Sequence, residues 1–287
     1  MLNQSSTWVP LVILKLKSIL ENLEKRGDIT KVEIHTEEVI IHPWSYDSIN
    51  KWPKQCLTGK KQSPININSK MVTKKYFPAF EFNITKYSQT GIIQNNGHTV
   101  NVAFSHPETV IINGGGLPGV NYRLENFNFH WGSEHTVDQE RLPLELHFVL
   151  YETKYAGLKN ALENNGVVVF SVLVQTCLDC YAQNSWSTIE KQISEIVYPG
   201  LGWVPLPNEI RINEFLPLNL GNFYRYEGSL TTPNCNEGIV WTVFRDTICI
   251  PPNQLQAITR IQGNDGANLN TTFRPVQPLN GRQVTYQ

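Results

Sequence analysis

Apolar and polar residues alternate in short runs along most of this chain, a pattern typical of β-strands. From residue 44 onward, apolar runs at 91–94, 99–104 and 166–174 are separated by turn residues at 95–97, 114–116 and 251–252. Helical periodicity is confined to residues 158–163 and 187–196. The pattern predicts one mainly β domain over residues 44–287, with a few short peripheral helices.

Residues 1–43 have a different character, and we treat them as an unassigned N-terminal extension. Their apolar run at 8–14 is followed by Lys15 and Lys17, whereas a secretory signal carries its basic residues before the apolar run. Residues 18–25 continue as an amphipathic helix. Two interpretations stay open: an atypical signal peptide, or an extended or non-native start.

Two predicted strands carry polar side chains that suit a chemical site. In residues 124–131 polar and aromatic positions alternate, and in residues 145–150 the same period continues. Because side chains of a strand point alternately to opposite faces, each segment gathers its polar residues on one face. The first face holds Asn126, Asn128 and His130, and the second holds Glu145, His147 and Val149. Each histidine alone is explained as a hydrogen-bonded core residue, but a carboxylate two positions before a histidine also suits a metal site, where it fixes the imidazole tautomer.

Composition excludes several classes of function. The chain has 24 Lys and Arg against 25 Asp and Glu, so its net charge of -1 lacks the basic excess of a nucleic-acid-binding protein. No apolar run is long enough to predict a membrane span. With 19 glycines and 17 prolines in 287 residues, the composition is also not that of a disordered chain.

A series of motifs identifies a family resemblance. In chain order they are Gln62-Ser63-Pro64-Ile65, Asn95-Asn96-Gly97-His98, Val100-Asn101-Val102, Phe129-His130-Trp131-Gly132, Ser133-Glu134-His135-Thr136-Val137-Asp138, Glu145-Leu146-His147, Gly228-Ser229-Leu230-Thr231-Thr232-Pro233 and Phe273-Arg274-Pro275-Val276-Gln277-Pro278-Leu279. From Trp44 to the carboxyl end the chain resembles the α-class carbonic anhydrases. The resemblance implies a large, mostly antiparallel, twisted central sheet, a zinc cofactor, and carbon dioxide and bicarbonate as substrates.

The resemblance also assigns the metal ligands, and here the sequence departs from the family. Family members hold zinc on three histidines, and the metal lowers the pKa of water to about 7 so that hydroxide attacks carbon dioxide. His130 matches the second ligand and His147 the third, but Asn128 occupies the first position. A neutral carboxamide oxygen is a hard, weak donor for zinc, and Asn is shorter than His. We therefore expect zinc affinity to fall by orders of magnitude, as in the acatalytic, carbonic anhydrase-related members.

The remaining functional positions match the family. By resemblance, Thr231 orients the hydroxide and passes its own proton to Glu134, Thr232 hydrogen-bonds bicarbonate, and His98 shuttles protons to buffer. Glu145 supports His147, and Asn126 stands where the family usually has Gln behind the first ligand. The polar wall that orders water consists of Tyr46, Asn96 and Asn101, and the apolar pocket for carbon dioxide consists of Val149, Val169, Leu230, Ile239 and Trp241.

A second departure lies between Gly132 and Ser133. The family loop at this point is about six residues longer, and surface loops tolerate such changes. Because the shortening falls between His130 and Glu134, two expectations stay open: a displacement of both side chains, or a trimmed surface loop.

Five cysteines divide into an assigned pair and three others. The resemblance implies a disulfide between Cys56 and Cys235, as in extracellular family members, which would brace the loop that carries Thr231. For Cys177 and Cys180, a local disulfide and two free thiols both stay open. Cys249 is the odd one, expected as a small buried apolar residue.

The compartment is predicted from the cysteines and two glycosylation motifs. The Cys56–Cys235 pair favours secretion, and the triplets that begin at Asn83 and Asn270 are acceptors if the chain is exported. The absence of an ordinary signal sequence keeps a cytoplasmic location as the alternative.

Three candidate functions differ in the sequence features that they require. Asn128 favours an acatalytic or strongly impaired carbonic anhydrase-like protein that keeps its cleft and, if acatalytic, binds a protein partner. The alternative is a working carbonate dehydratase with a two-His, one-Asn zinc site, favoured by the retained catalytic residues. An extracellular structural or mineral-associated role would predict acidic or Gly-rich repeats, which the chain lacks.

Overall fold

Strands dominate the described part of the chain. The computed structural model describes residues 44–84, 88–106, 110–180 and 183–287, so the predicted extension at 1–43 lies outside it. The strands are β1 Asn66–Ile67, β2 Thr73–Lys74, β3 Phe80–Ile84, β4 Gly91–Asn95, β5 Val100–Phe104, β6 Val110–Gly114, β7 Tyr122–Trp131, β8 Thr136–Val137, β9 Leu144–Glu152, β10 Val167–Thr176, β11 Val204–Pro205, β12 Phe223–Ser229, β13 Glu237–Phe244, β14 Ile248–Ile250 and β15 Thr285–Tyr286. The mainly β prediction is confirmed.

Short helices flank the strands. Four α-helices cover Lys54–Thr58, Leu158–Glu163, Asn184–Ile193 and Pro252–Ile258 of the described residues, and 3-10 helices cover Tyr46–Lys51 and Ile212–Phe215. The helix predicted at 158–163 has the predicted bounds, and the one predicted at 187–196 begins and ends three residues earlier. Glu214 explains the earlier start, because its carboxylate accepts a hydrogen bond from the Ser185 backbone N–H at 2.8 Å.

One large sheet connects most strands. Its order is β11-β4-β5-β7-β9-β10-β13-β12-β15-β2, with β14 also paired to β10, and β3 joined to β7 through β6. Among these pairs only β10–β13, β10–β14 and β15–β2 are parallel. The mostly antiparallel central sheet is therefore confirmed. Strands β1 and β8 form a separate parallel pair.

Strands β7 and β9 are neighbours at the centre of the sheet, so their polar residues can meet on one face. Their antiparallel register sets Asn126 opposite Val149, Asn128 opposite His147, and His130 opposite Glu145. The aromatic residues Phe127, Phe129 and Trp131 point to the other face and join the larger apolar core. The predicted division of β7 into a polar and an aromatic face is confirmed. The register between β7 and β9 shifts between Leu124 and Asn126 and is regular from Asn126 to Trp131.

Two apolar cores cover the two faces of the sheet. On β10, Val168, Phe170 and Val172 belong to the larger core, and Val167 and Val169 belong to the smaller one. A strand buried on both faces reads as a continuous apolar run, which explains the uninterrupted pattern at 166–174. The polar site residues of β7 and β9 therefore lie within a sheet that is otherwise apolar.

The cysteines are arranged partly as predicted. Cys56 and Cys235 form a disulfide, with Cα atoms 5.1 Å apart, as the family resemblance implied. The prediction that Cys249 is a buried apolar residue is wrong: it is half-buried, and its Cα lies 5.9 Å from that of Cys177. The cause is the parallel pairing of β14 with β10, which sets Cys249 opposite Gln175, two residues before Cys177.

Within the described ranges, no helix has the length and apolar character needed to cross a membrane.

Candidate active site

The site is built on the shared polar face of β7 and β9. His130 and His147 are both nearly fully buried, and their ring centroids are 4.4 Å apart. Asn128, half-buried on the same face, sits between Asn101 of β5 and His147 of β9 in the strand register. The structure thus brings together the three positions that the sequence assigned to metal ligands.

Hydrogen bonds fix which nitrogen of each imidazole faces the site. Nδ1 of His130 donates to the carbonyl oxygen of Thr272 at 2.5 Å, because a carbonyl can only accept. Nε2 of His147 donates to the carboxylate of Glu145 at 2.6 Å. Nε2 of His130 and Nδ1 of His147 are left as lone-pair donors, and both lie 3.7 Å from the same carboxylate oxygen of Glu134.

Glu145 anchors a buried polar network behind His147. Its Oε1 also accepts hydrogen bonds from Nδ1 of His135 at 2.7 Å and from the hydroxyl of Ser171 at 2.6 Å. Its Oε2 accepts from the His135 backbone N–H at 2.8 Å. Since every partner donates, the network holds Glu145 as a carboxylate and holds both imidazoles in one tautomer.

A hydroxyl pair extends the network from His135. Nε2 of His135 lies 2.7 Å from the Tyr226 hydroxyl, which lies 2.8 Å from the hydroxyl of Ser63. With Nδ1 of His135 donating to Glu145, Tyr226 donates to Nε2 and Ser63 donates to Tyr226. The roles of His135, Tyr226 and Ser63 are not evident from the sequence. The available signal was that His135 and Ser63 lie within quoted motifs, but no local pattern joins them to Tyr226.

Glu134 lies fully buried against the two histidines. Its Oε1 accepts a hydrogen bond from the Arg274 backbone N–H at 2.7 Å. Its Oε2, the atom 3.7 Å from both imidazoles, has no hydrogen-bond partner within the described ranges. The Thr231 hydroxyl is close enough to lower the pKa of Glu134, without forming a hydrogen bond to Oε2.

Burial controls the electrostatics of this cluster. It lowers the pKa of His130 to about 4 and also lowers that of His147, while it raises the pKa of Glu134 to about 7. Burial acts on Glu145 in the same upward direction, but His135 and His147 outweigh it and hold the pKa of Glu145 well below its usual value. The histidines are therefore neutral near pH 7, which is the state in which imidazole can bind a metal.

The short connection after β7 is held by hydrogen bonds of the Ser133 backbone and hydroxyl. The Ser133 N–H donates to the Leu142 carbonyl at 2.7 Å, and the Ser133 hydroxyl donates to the His135 carbonyl at 2.7 Å. The Leu142 N–H in turn donates to the Ser133 hydroxyl at 2.9 Å. These hydrogen bonds fix the path of the backbone between the end of β7 and Glu134.

Apolar residues predicted for the pocket gather beside His147. The Trp241 ring centroid is 4.8 Å from that of His147, and Val169 pairs with both Val149 and Trp241 in the sheet. The predicted residues all belong to the smaller apolar core, with Val149 and Leu230 partly exposed: Val149, Val169, Leu230, Ile239 and Trp241. The site therefore has one apolar wall.

The predicted polar residues have varied surroundings. His98 is only 7% exposed, and its ring stacks on that of Trp44 with the ring centroids 3.6 Å apart. Tyr46 is buried, and burial together with the Glu134 charge raises the pKa of its hydroxyl well above 10. Asn96 is exposed, and its side-chain oxygen accepts hydrogen bonds from the backbone N–H groups of His98 and Thr99.

Thr231 and Thr232 lie in the turn that follows β12. Thr231 is buried and Thr232 is half-buried. The Cys235 N–H donates to the Thr232 carbonyl at 2.8 Å, so the disulfide from Cys56 holds this turn.

Comparison with known proteins identifies the family of this chain. A profile of the eukaryotic-type carbonic anhydrases matches residues 44–287. Putative carbonic anhydrase 5 of Caenorhabditis elegans is 34% identical over 262 residues, covering 86% of this chain and 82% of the relative. Mouse carbonic anhydrase 15 is 33% identical, with 84% and 82% covered, and bovine carbonic anhydrase 6 is 32% identical, with 85% and 80% covered. The chain belongs to the eukaryotic-type carbonic anhydrase family, whose members in general depend on zinc.

Proposed function

We propose that this chain is a carbonic anhydrase-family protein whose carbon dioxide hydration is absent or strongly impaired. The observation that carries the proposal is Asn128, which lies between Asn101 and His147 in the sheet. By the family resemblance this is the first ligand position, where active members have a histidine. The loss of one strong nitrogen donor weakens the hold on zinc.

The other two ligand positions fit zinc well. Nε2 of His130 and Nδ1 of His147 both present lone pairs to the site, because their other ring nitrogens donate to Thr272 and Glu145. Zinc, when bound, supplies the chemistry by lowering the pKa of water. Two imidazoles fit this metal, and the neutral carboxamide of Asn128 is the mismatch.

The cleft around these ligands supports binding of carbon dioxide or bicarbonate. Trp241, Val149 and Val169 supply an apolar wall for carbon dioxide beside His147. In this proposal, by the family resemblance, Thr232 hydrogen-bonds bicarbonate and Thr231 orients a nucleophile through Glu134. In this proposal a binding role for the cleft, including recognition of a protein partner, survives the loss of turnover.

The alternative is an active, zinc-dependent carbonate dehydratase with a two-His, one-Asn site. It is favoured by the oriented imidazoles and by the approach of Thr231 to Glu134, since both features serve turnover. His98 counts less toward this alternative. Its ring is stacked on Trp44 and is only slightly exposed to solvent, which hinders proton transfer to buffer.

One variant separates the two functions. Zinc content and carbon dioxide hydration are measured for the unmodified protein and for Asn128→His, with Asn160→His as the control at an exposed helix position. The proposal expects near-background hydration in the unmodified protein and the control, and a rise in hydration and zinc affinity in Asn128→His. Ordinary turnover by the unmodified protein would overturn it. No recovery in Asn128→His would assign the loss to the shortened connection at Gly132 and Ser133 instead.

We also propose that the protein works outside the cell. The Cys56–Cys235 disulfide supports an oxidising compartment, since such bonds are rare in the reducing cytosol. Asn83 and Asn270 are both exposed, as glycosylation requires. Expression in a secreting eukaryotic cell tests this: glycosidase treatment is expected to lower the mass of the secreted protein, and retention of the whole product in the cytosol would count against it.

A further inference from the structure

Three atoms that can donate a lone pair to a metal converge in the site. They are Nε2 of His130, Nδ1 of His147 and Oε2 of Glu134. Hydrogen bonds to Thr272 and Glu145 commit both ring N–H groups elsewhere. Oε2 of Glu134 is fully buried and has no partner in the described part of the chain. The three atoms therefore form one group of acceptors around a space where a single cation can bind.

The spacing of the three atoms suits a small divalent metal. Metal–ligand distances of about 2.0–2.2 Å set neighbouring donors of a tetrahedral zinc ion about 3.4 Å apart. Oε2 of Glu134 lies 3.7 Å from each imidazole nitrogen. All three donor atoms lie within 4.8 Å of one another, so they form a group that can close around one ion.

The chemistry of the donors favours Glu134 over Asn128 as the third ligand. Two imidazoles and one carboxylate form a known catalytic zinc set, whereas a neutral amide oxygen is a weaker donor. The carboxylate also supplies a negative charge that offsets part of the charge of a divalent ion in a buried site. Its other oxygen is held by the Arg274 N–H, which fixes the direction of Oε2.

We propose that Glu134 is a ligand of a divalent metal ion such as zinc, together with His130 and His147. This inference rests on the proposed function, in which Asn128 does not fill the first ligand position. A Glu134 that binds the metal is withdrawn from Thr231. The proposal therefore explains how a protein with a retained Thr231 and Glu134 can bind metal and still hydrate carbon dioxide poorly.

Metal titration of matched variants tests the assignment. Protein freed of metal by a chelator is titrated with zinc against a chromophoric competitor, and separately with cobalt(II), whose visible absorption reports its ligands. The variants are Glu134→Gln, Asn128→Ala and, as a control at an exposed helix position, Glu163→Gln. Glutamine keeps an oxygen for the Arg274 N–H, so Glu134→Gln removes the charge with little change of shape.

The expected result is one bound metal per chain in the unmodified protein, held more weakly than in Asn128→His. Loss of a partner that only supports a ligand costs about 10–100-fold in affinity, so Glu134→Gln is expected to cost more than about 100-fold. It is also expected to change the cobalt spectrum. Asn128→Ala and Glu163→Gln are expected to stay within about threefold of the unmodified protein, by the same comparison.

Three results would overturn the assignment: no metal bound by the unmodified protein, equal affinity in Glu134→Gln, or an equal loss in Asn128→Ala. Circular dichroism checks folding, and Glu134→Asp, which keeps the charge but shortens the reach, replaces Glu134→Gln if that variant does not fold. Glu134→Asp is then expected to bind zinc more weakly, and unchanged affinity would also overturn the assignment. Carbon dioxide hydration by the unmodified protein is measured in a separate experiment. Rapid hydration would reject the proposed function, whereas only the titrations decide whether Glu134 is a ligand.

Discussion

Nε2 of His147 donates a hydrogen bond to Oε1 of Glu145 at 2.6 Å, and this bond directs Nδ1 of His147 into the site. Glu145 also receives hydrogen bonds from both the ring and the backbone N–H of His135. The carboxylate therefore determines the tautomer and the orientation of a metal-facing imidazole from a position that no metal would touch.

Replacement of Glu145 tests this relationship. In the Asn128→His background, Glu145→Gln is expected to weaken zinc binding by about 10–100-fold, because the amide NH₂ opposes the donating rings of His135 and His147. Zinc competition titrations measure the effect, with Glu163→Gln in the same background as the control. Unchanged affinity would mean that the sheet alone orients His147.

The buried charge on Glu134 predicts how stability depends on pH. Its pKa is raised from 4.5 to about 7 in the folded protein, so between these values the unfolded chain has released a proton that the folded chain keeps. The stabilisation from this group is complete below pH 4.5 and is lost as pH rises through 7. Glu134→Gln has no such proton, so its free energy of unfolding is expected to rise relative to the unmodified protein across this interval and then level off.

Urea unfolding in the presence of a chelator measures this difference at pH values from below 4.5 to above 7. His130 and His147 are present in both proteins, so their titration contributes to both curves. A constant difference between the two proteins across the interval would show that Glu134 ionises normally in the folded state.

The Cys56–Cys235 disulfide is expected to be a main source of stability. It closes a sequence separation of 179 residues and holds the turn that carries Thr231 and Thr232. The double variant Cys56→Ser, Cys235→Ser is expected to lose about 2–5 kcal/mol of unfolding free energy. Denaturant unfolding with and without reductant measures the loss. Equal stability of the double variant and the oxidised parent would contradict the prediction.

The cysteine cluster predicts mutually exclusive disulfides. The Cα of Cys177 lies 5.6 Å from that of Cys180 and 5.9 Å from that of Cys249, and both separations suit a disulfide. One sulfur forms a single disulfide, so each oxidised molecule is expected to keep one alkylatable thiol in the cluster. Cys249→Ser is expected to leave only the Cys177–Cys180 disulfide. Cys180→Ser is expected to leave only the Cys177–Cys249 disulfide, which connects the ends of β10 and β14.

Peptide mapping by mass spectrometry after alkylation reads these pairings. Disulfide-linked dimers, with all three cysteines of the cluster consumed between chains, would contradict the prediction of one free thiol per molecule.

The sequence by itself determined the fold class and the polar face of the site. An alternation of period two is a local property, and it correctly put Asn128 and His130 on one face of β7 and His147 on one face of β9. The substitution at Asn128 is also visible in the sequence alone, once the family motifs align its neighbours. The Cys56–Cys235 pair was found in the same way.

Only the tertiary structure decided how the remaining groups meet. Arg274, which donates to Glu134, and Thr231, which lowers the pKa of Glu134, lie about a hundred residues or more further along the chain. Thr272, which orients His130, is similarly distant from it. Cys249 meets Cys177 because β14 pairs with β10. Such contacts depend on strand order, register and loop path, which local hydrophobic patterns do not encode. The unpartnered oxygen of Glu134, on which the metal assignment depends, is therefore a property of the fold.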